Sequence, residues 1–205
     1  MSEITLVEPQ KKDKTRCNVY VDGVFYCGIK LEVAVKYHLK SGMPVDKARL
    51  DEIQLETEKS QALDKAIAHL SATMKTERQI KDFLTKKGYT EAVCGYVLEK
   101  LKYHNLVDDY SYCRAYVQSV KGKGKRALYA DLIKRGADKS AIGQALDEVE
   151  EDDGEALAVL EKYMRGKQPT KENTLKGLKY LIARGFEYET AKSALIKFGG
   201  EDEDY

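Results

Sequence analysis

The sequence predicts a mainly α protein: a tandem array of three-helix repeats in three copies, preceded by a small antiparallel β-sheet and a helix. Three observations carry that prediction: a repeat of roughly 48 residues, helical apolar periodicity within each copy, and a β-branched and aromatic opening segment. Aligned on Gly88, Gly136 and Gly185, leucine stands four residues before each glycine (Leu84, Leu132, Leu181) and ten after it (Leu98, Leu146, Leu195). Val97, Ala145 and Ala194 share a further position, Leu101, Val149 and Phe198 another, and Lys87, Arg135 and Arg184 directly precede the glycines. Chance rarely gives so many agreements in three copies. Each copy is therefore read as one unit of an array. The divisions expected are 1–58 for the sheet and helix, 59–107 for the first repeat, 108–152 for a basic second repeat, and 153–205 for the third with its acidic tail.

The elements follow in order. Thr5-Leu6-Val7, Arg16 to Val21 and Val24 to Ile29 read as strands, the last two joined by the hairpin dipeptide Asp22-Gly23, with Gln10 to Lys14 a polar turn. Pairing Val21 with Val24 and Asn18 with Cys27 sets Cys17 and Cys27 on opposite faces, so no disulfide joins them. A helix from about Leu31 to Lys40 should end at Gly42, with Pro44 beyond it. From Asp46 as N-cap, a long helical pattern runs to Leu70 with a break expected around Thr57 to Ser60. Thr76 and Gln79 form a capping box, and Thr90 is an N-cap. Asp108-Asp109 opens the second repeat, where Lys121-Gly122-Lys123-Gly124-Lys125-Arg126 reads as a flexible, positively charged loop. Thr170 is an N-cap in the third repeat, and the acidic tail from Glu201 is expected to be disordered.

The charges nearly cancel overall, to a formal +1, yet they are segregated. Residues 109 to 146 carry eight Lys or Arg against three Asp, whereas 147 to 155 hold seven acids and no base. Bulk nucleic-acid binding by net charge is thus a poor fit. No apolar window is long enough to span a bilayer and no signal peptide opens the chain, so it is read as cytoplasmic. Four cysteines without a CxxC pair and three scattered histidines give no metal-ligand spacing. Neither a Ser/His/Asp or Cys/His arrangement nor a phosphate-binding GxxxxGK(S/T) loop is present. The expectation is a non-enzymatic protein without cofactor or metal.

Candidate binding residues are accordingly cationic: Lys121, Lys123, Lys125 and Arg126, with Lys134, Arg135 and Arg114 nearby in sequence. They suit an acidic protein surface or phosphates. Asp108 and Asp109 are helix-cap residues or contacts. Tyr112 and Tyr116, one helical turn apart, are either core or stacking platforms for bases.

The recurring Leu-x-x-(Lys/Arg)-Gly turn, the Leu-Val-Asp-Asp-Tyr-Ser-Tyr-Cys run at 106–113, the Lys/Gly segment at 121–126 and the Asn-Val-Tyr-Val-Asp-Gly hairpin at 18–23 together resemble the RecX family. The hairpin extension is similar to that of the longer Gram-positive members, and Cys113 stands where the family often has Ala. The resemblance implies a monomer that lies along a RecA filament on single-stranded DNA, contacting that DNA directly or through RecA. It further implies damping of RecA's ATPase, strand exchange and coprotease activities, hence of recombination and the SOS response. A helical protein acting on DNA directly is the alternative reading.

Overall fold

The computed structural model describes residues 2–150 and 153–199, and the acidic tail from Glu201 lies outside that range. Its described residues divide into two compact units: those up to Thr73 together with Lys81–Leu101, and Met74–Ile80 together with those from Lys102 onward.

The first unit opens with a four-stranded antiparallel sheet in the order β3-β2-β1-β4, from β1 (Ser2–Pro9), β2 (Arg16–Val21), β3 (Val24–Lys30) and β4 (Met43–Val45). Asp22 and Gly23 turn the β2–β3 hairpin with φ of 52° and 82°, the positive pair that a type I′ turn requires. The expected pairing holds only at the hairpin tip. A bulge after Val19 pairs Val19 with Cys27 and Asn18 with Gly28, so Cys17 and Cys27 share the buried face instead of opposing ones. Both are nonetheless free thiols, and burial pushes the Cys27 thiol up to about 11.

Helix α1 (Leu31–Lys36) stops well before Gly42. His38 takes the left-handed conformation at φ 52°, the His38 amide donates to Val35 and the Leu39 amide to Ala34, which closes the helix without glycine. Gly42, also at positive φ, donates instead to Ile4 and starts β4, where Pro44 is tolerated on a sheet edge. The expected break in the next helix is likewise absent: α2 runs unbroken over Lys47–Leu70 from its Asp46 cap. Thr57 is buried but donates to the Ile53 carbonyl of its own helix, and Ser60 accepts from Lys30 Nζ at 2.9 Å. The polar residues that suggested a break are satisfied in place, so the division at residue 58 falls inside a continuous helix. Tyr26 donates to Asp51, and Lys36 pairs with Glu56, tying the sheet segment to α2 around a core of Ile4, Val19, Ile29, Leu50 and Ile53.

The other helices are α3 (Glu77–Lys86), α4 (Glu91–Tyr103), α5 (Asp109–Ser119), α6 (Lys125–Lys134), α7 (Lys139–Asp147), α8 (Asp153–Met164), α9 (Lys171–Ala183) and α10 (Tyr188–Gly199). Thr76 and Gln79 form the reciprocal capping box, and Thr90 and Thr170 accept from the amides of Val93 and Asn173. The three glycine turns are built identically. Gly88, Gly136 and Gly185 have φ of 88°, 79° and 88°, and the amides of Tyr89, Ala137 and Phe186 donate to Leu84, Leu132 and Leu181. Those three leucines are fully buried, so one residue both closes the turn and anchors the core. Helices α5–α7 enclose Tyr112, Cys113, Leu128, Leu132 and Ile142, and α8–α10 enclose Leu160, Met164, Leu181, Phe186 and Leu195.

Candidate functional site

The cationic segment of the second unit is better fixed than a glycine-spaced loop would suggest. Gly122 donates its amide to Glu155 Oε1 at 2.5 Å, Gly124 to the Arg184 carbonyl at 3.1 Å and Arg126 to that of Gly185 at 3.2 Å. Gly124 is buried, because a Cβ there would stand 2.3 Å from the Gly185 backbone. Lys123 pairs with Asp131 at 2.5 Å, and Lys125 already belongs to α6. The expected flexible loop is thus a pinned strap, with glycine required at 124 by close backbone approach and at 122 by a φ of 72°, not by mobility.

Arg114, Lys121, Lys123 and Lys125 line one cleft of about 470 Å3. The same cleft is also lined by Glu148, Glu150 and Glu155 and by the apolar Phe186. Glu148 accepts from Tyr110 and lies 3.9 Å from Arg114, while Glu155 holds the strap by accepting from the Gly122 N–H. The acid run and the basic repeat, separate in the sequence, therefore meet in one cleft. Lys121 is exposed and makes no ion pair among the described residues; Arg126 is exposed and lies 3.5 Å from Glu187.

Lys134 and Arg135 are elsewhere. They sit at the far end of α6, about 14 Å along its axis from Lys125. Arg135 caps that helix, stacks over the Tyr116 ring at 4.5 Å and donates to the Tyr112 hydroxyl. Tyr112 is buried in the α5–α7 core, and Tyr116 donates to Asp131, whose carboxyl the Lys123 ammonium holds below its ordinary value. The two tyrosines thus pack and brace charged groups.

Asp108 is the N-cap of α5, accepting from Tyr110 and Ser111, bonds that hold its carboxyl below the ordinary range. Its neighbour does something the sequence did not signal. Asp109, 6% exposed, accepts from the Glu77 amide at 2.9 Å and the Asp138 amide at 2.7 Å, so one carboxylate caps the starts of both α3 and α7. Burial raises its pKa while these two bonds oppose the rise. Nearby, Thr76 Oγ1 donates to the Arg135 carbonyl, and a Cβ on Gly136 would overlap the Arg78 side chain. Among the described residues no cluster of His, Cys, Asp or Glu could hold a metal, and no helix is long and apolar enough to cross a membrane.

Ten described helices, the later ones grouped in threes, and a four-stranded N-terminal sheet define a helical-repeat protein with a sheet-bearing first segment. The family described as the regulatory protein RecX N-terminal domain matches residues 2–46, and the RecX first three-helix domain matches 62–101. Regulatory protein RecX of Bacillus licheniformis is 30% identical over all of this chain and 80% of its own length, and that of Bacillus subtilis 28% over the same shares. A crystal structure of regulatory protein RecX superposes with a TM-score of 0.74 at 25% identity, covering 94% of this chain and 98% of that one. This chain belongs to the RecX family of regulatory proteins.

Proposed function

We propose that the protein is a cytoplasmic, non-enzymatic regulator that binds the RecA filament on single-stranded DNA and lowers RecA's ATPase, strand-exchange and coprotease activities. Membership of a family of regulatory proteins over the whole chain is the observation that carries this reading. The physical logic is multivalency. Repeated helical units, functionally divided at 59–107, 108–152 and 153–205 behind the 1–58 segment, let one monomer engage several protomers of a polymer through modest contacts that add by effective concentration.

The mixed cleft fits a protein surface better than bare duplex phosphate. Glu148, Glu150 and Glu155 stand among the cations and would repel phosphates, while opposite charges side by side select register on a partner that is itself of mixed charge. Exposed Lys121 and Lys134 are the cations we assign to first contact, with Arg114, Lys123, Lys125, Arg126 and Arg135 shaping the surface around them.

ATP hydrolysis by RecA on single-stranded DNA tests this, with gel shifts on bare DNA run in parallel. Inhibition should appear at protein concentrations well below those that shift bare DNA. The reverse order would favour a helical protein acting on DNA directly. Lys121→Glu should weaken inhibition and flatten its salt dependence, since an exposed steering charge acts mostly on association.

A further inference from the structure

The N-terminal sheet packs one face on its own helices and leaves the other open. Along the open face the strand register sets Leu6 opposite Tyr20 and Tyr20 opposite Phe25. The outer members of this row, Leu6 and Phe25, are 43% and 55% exposed, and the Tyr20 and Phe25 rings meet edge to face at 5.8 Å. Further along the same face, Gln10 Nε2 donates to Asn18 Oδ1 at 2.9 Å, and Arg16 Nη2 donates to the Gly28 carbonyl at 3.0 Å. Gly28 makes room for both. A Cβ there would stand 2.9 Å from Gln10 Nε2 and 3.5 Å from Arg16 Nη2, so the amide and the guanidinium reach across the strand where another side chain would stand. The face is therefore rich in planar groups: two rings, two amides and a guanidinium.

Its charge is as specific as its shape. Arg16 Nε is buried without a hydrogen-bond partner and Nη2 is held by the Gly28 carbonyl, so the guanidinium is fixed within the sheet. Beside it the β1–β2 turn exposes Lys11, Lys12 and Lys14, and the acid among them, Asp13, spends its carboxylate on the Thr15 amide and hydroxyl at 2.9 and 2.6 Å.

We propose that this open sheet face is a stacking platform for single-stranded nucleic acid, with bases on Phe25 and Tyr20 and phosphates held by the turn lysines. Exposed rings stack on any unpaired base, and a basic margin supplies the charge that a phosphate backbone needs. A purely apolar protein partner would use Leu6 and Phe25 but would leave the three exposed turn lysines unanswered. Duplex is disfavoured because its bases are already stacked. The assignment goes beyond the filament reading and does not depend on RecA.

The test titrates the full chain into a fluorescein-labelled 20-nucleotide thymidylate strand and, separately, a duplex of equal length, following anisotropy at low salt. The single strand should bind more tightly. Phe25→Leu, which keeps an apolar side chain but removes the ring, should weaken it about tenfold, and Phe25→Tyr should preserve it. Replacing Lys11, Lys12 and Lys14 with Gln should lower the salt slope by about two. Unchanged circular dichroism would show that these exposed positions leave the fold intact. Equal affinity of Phe25→Leu and the parent for the strand, or tighter binding of duplex, overturns the proposal. So does a Phe25→Leu variant that loses only inhibition of RecA's ATPase, because the face would then dock protein. Loss of strand binding with inhibition retained supports the platform and leaves the filament reading to stand by itself.

Discussion

Gly88 and Gly185 close their helices with the same pair of amide-to-carbonyl bonds, at the same φ of 88°, and use the space beside them differently. A Cβ at Gly88 would meet nothing within 4 Å. At Gly185 it would stand 2.3 Å from the Ala127 backbone nitrogen, because the turn is pressed against the start of α6, where Gly124 makes the reciprocal approach. Gly136 is intermediate, its neighbour being the flexible Arg78 side chain. One local rule, a left-handed residue after the last turn of a helix, is thus reused as a cap at Gly88 and as a packing surface at Gly185. The repeat signature alone does not separate these uses, since both need glycine.

Breaking the tighter turn should have the largest effect. Gly185→Ala adds left-handed strain and a backbone overlap that rotamer changes cannot relieve, so we expect a loss of about 4 kcal/mol and a melting midpoint lower by roughly 10 °C in thermal denaturation. Gly124→Ala, pressing on the same contact from the other side, should match it. A loss near 1 kcal/mol for either would mean that the two backbones do not meet as described.

The Asp109 tether comes next. Asp109→Ala leaves the Glu77 and Asp138 amides without their acceptor and should cost about 3 kcal/mol in urea unfolding, more than a single exposed cap. Asp109→Asn keeps one acceptor oxygen and should recover about half of that. Equal costs for Asp109→Ala and Asp108→Ala would show that Asp109 is only a neighbour of the cap.

Much of this fold was legible because its signals are local. The capping box at Thr76 and Gln79, the Asp22-Gly23 hairpin and the three glycine turns each depend on residues within a few positions of one another. What was missed depends on partners distant in the chain. Nothing near Cys17 announces the bulge that aligns it with Cys27 on the buried face. Nor does the neighbourhood of Asp109 point to the Glu77 and Asp138 amides, 32 and 29 positions away. The early end of α1 was hidden because His38, not glycine, takes the left-handed position. At the candidate site, the sequence showed both the cations and the acid run but not that Glu148, Glu150 and Glu155 line one cleft with Lys121 and Lys123. Glycine spacing also suggested flexibility, where Gly124 permits a backbone contact and Gly122 a left-handed turn.

The smaller effects sharpen the comparison from its other side. Gly88→Ala has only conformational strain to bear and should cost about 1 kcal/mol, moving the midpoint by 2–4 °C; a loss as large as that of Gly185→Ala would mean that the first turn also abuts something. Smallest of all is the acid response of the strap that presses on Gly185. Asp131 has its carboxyl held below the ordinary 3.8, chiefly by its bond from Lys123. A carboxyl whose folded pKa is lowered contributes stability that is fully present above its ordinary value and is lost as pH falls through the folded one. The Lys123–Asp131 tie should therefore be constant from neutral pH down to about 5 and weaken below 3.8, contributing roughly 0.5 kcal/mol because both partners are partly solvated. Comparing the urea midpoints of the parent and Asp131→Asn across that range reads the difference directly. The gap should be widest at neutral pH and narrow as pH falls below 3.8, whereas a gap of unchanged size on both sides of 3.8 would show that Asp131 acts through its bond from Tyr116 and not through its charge.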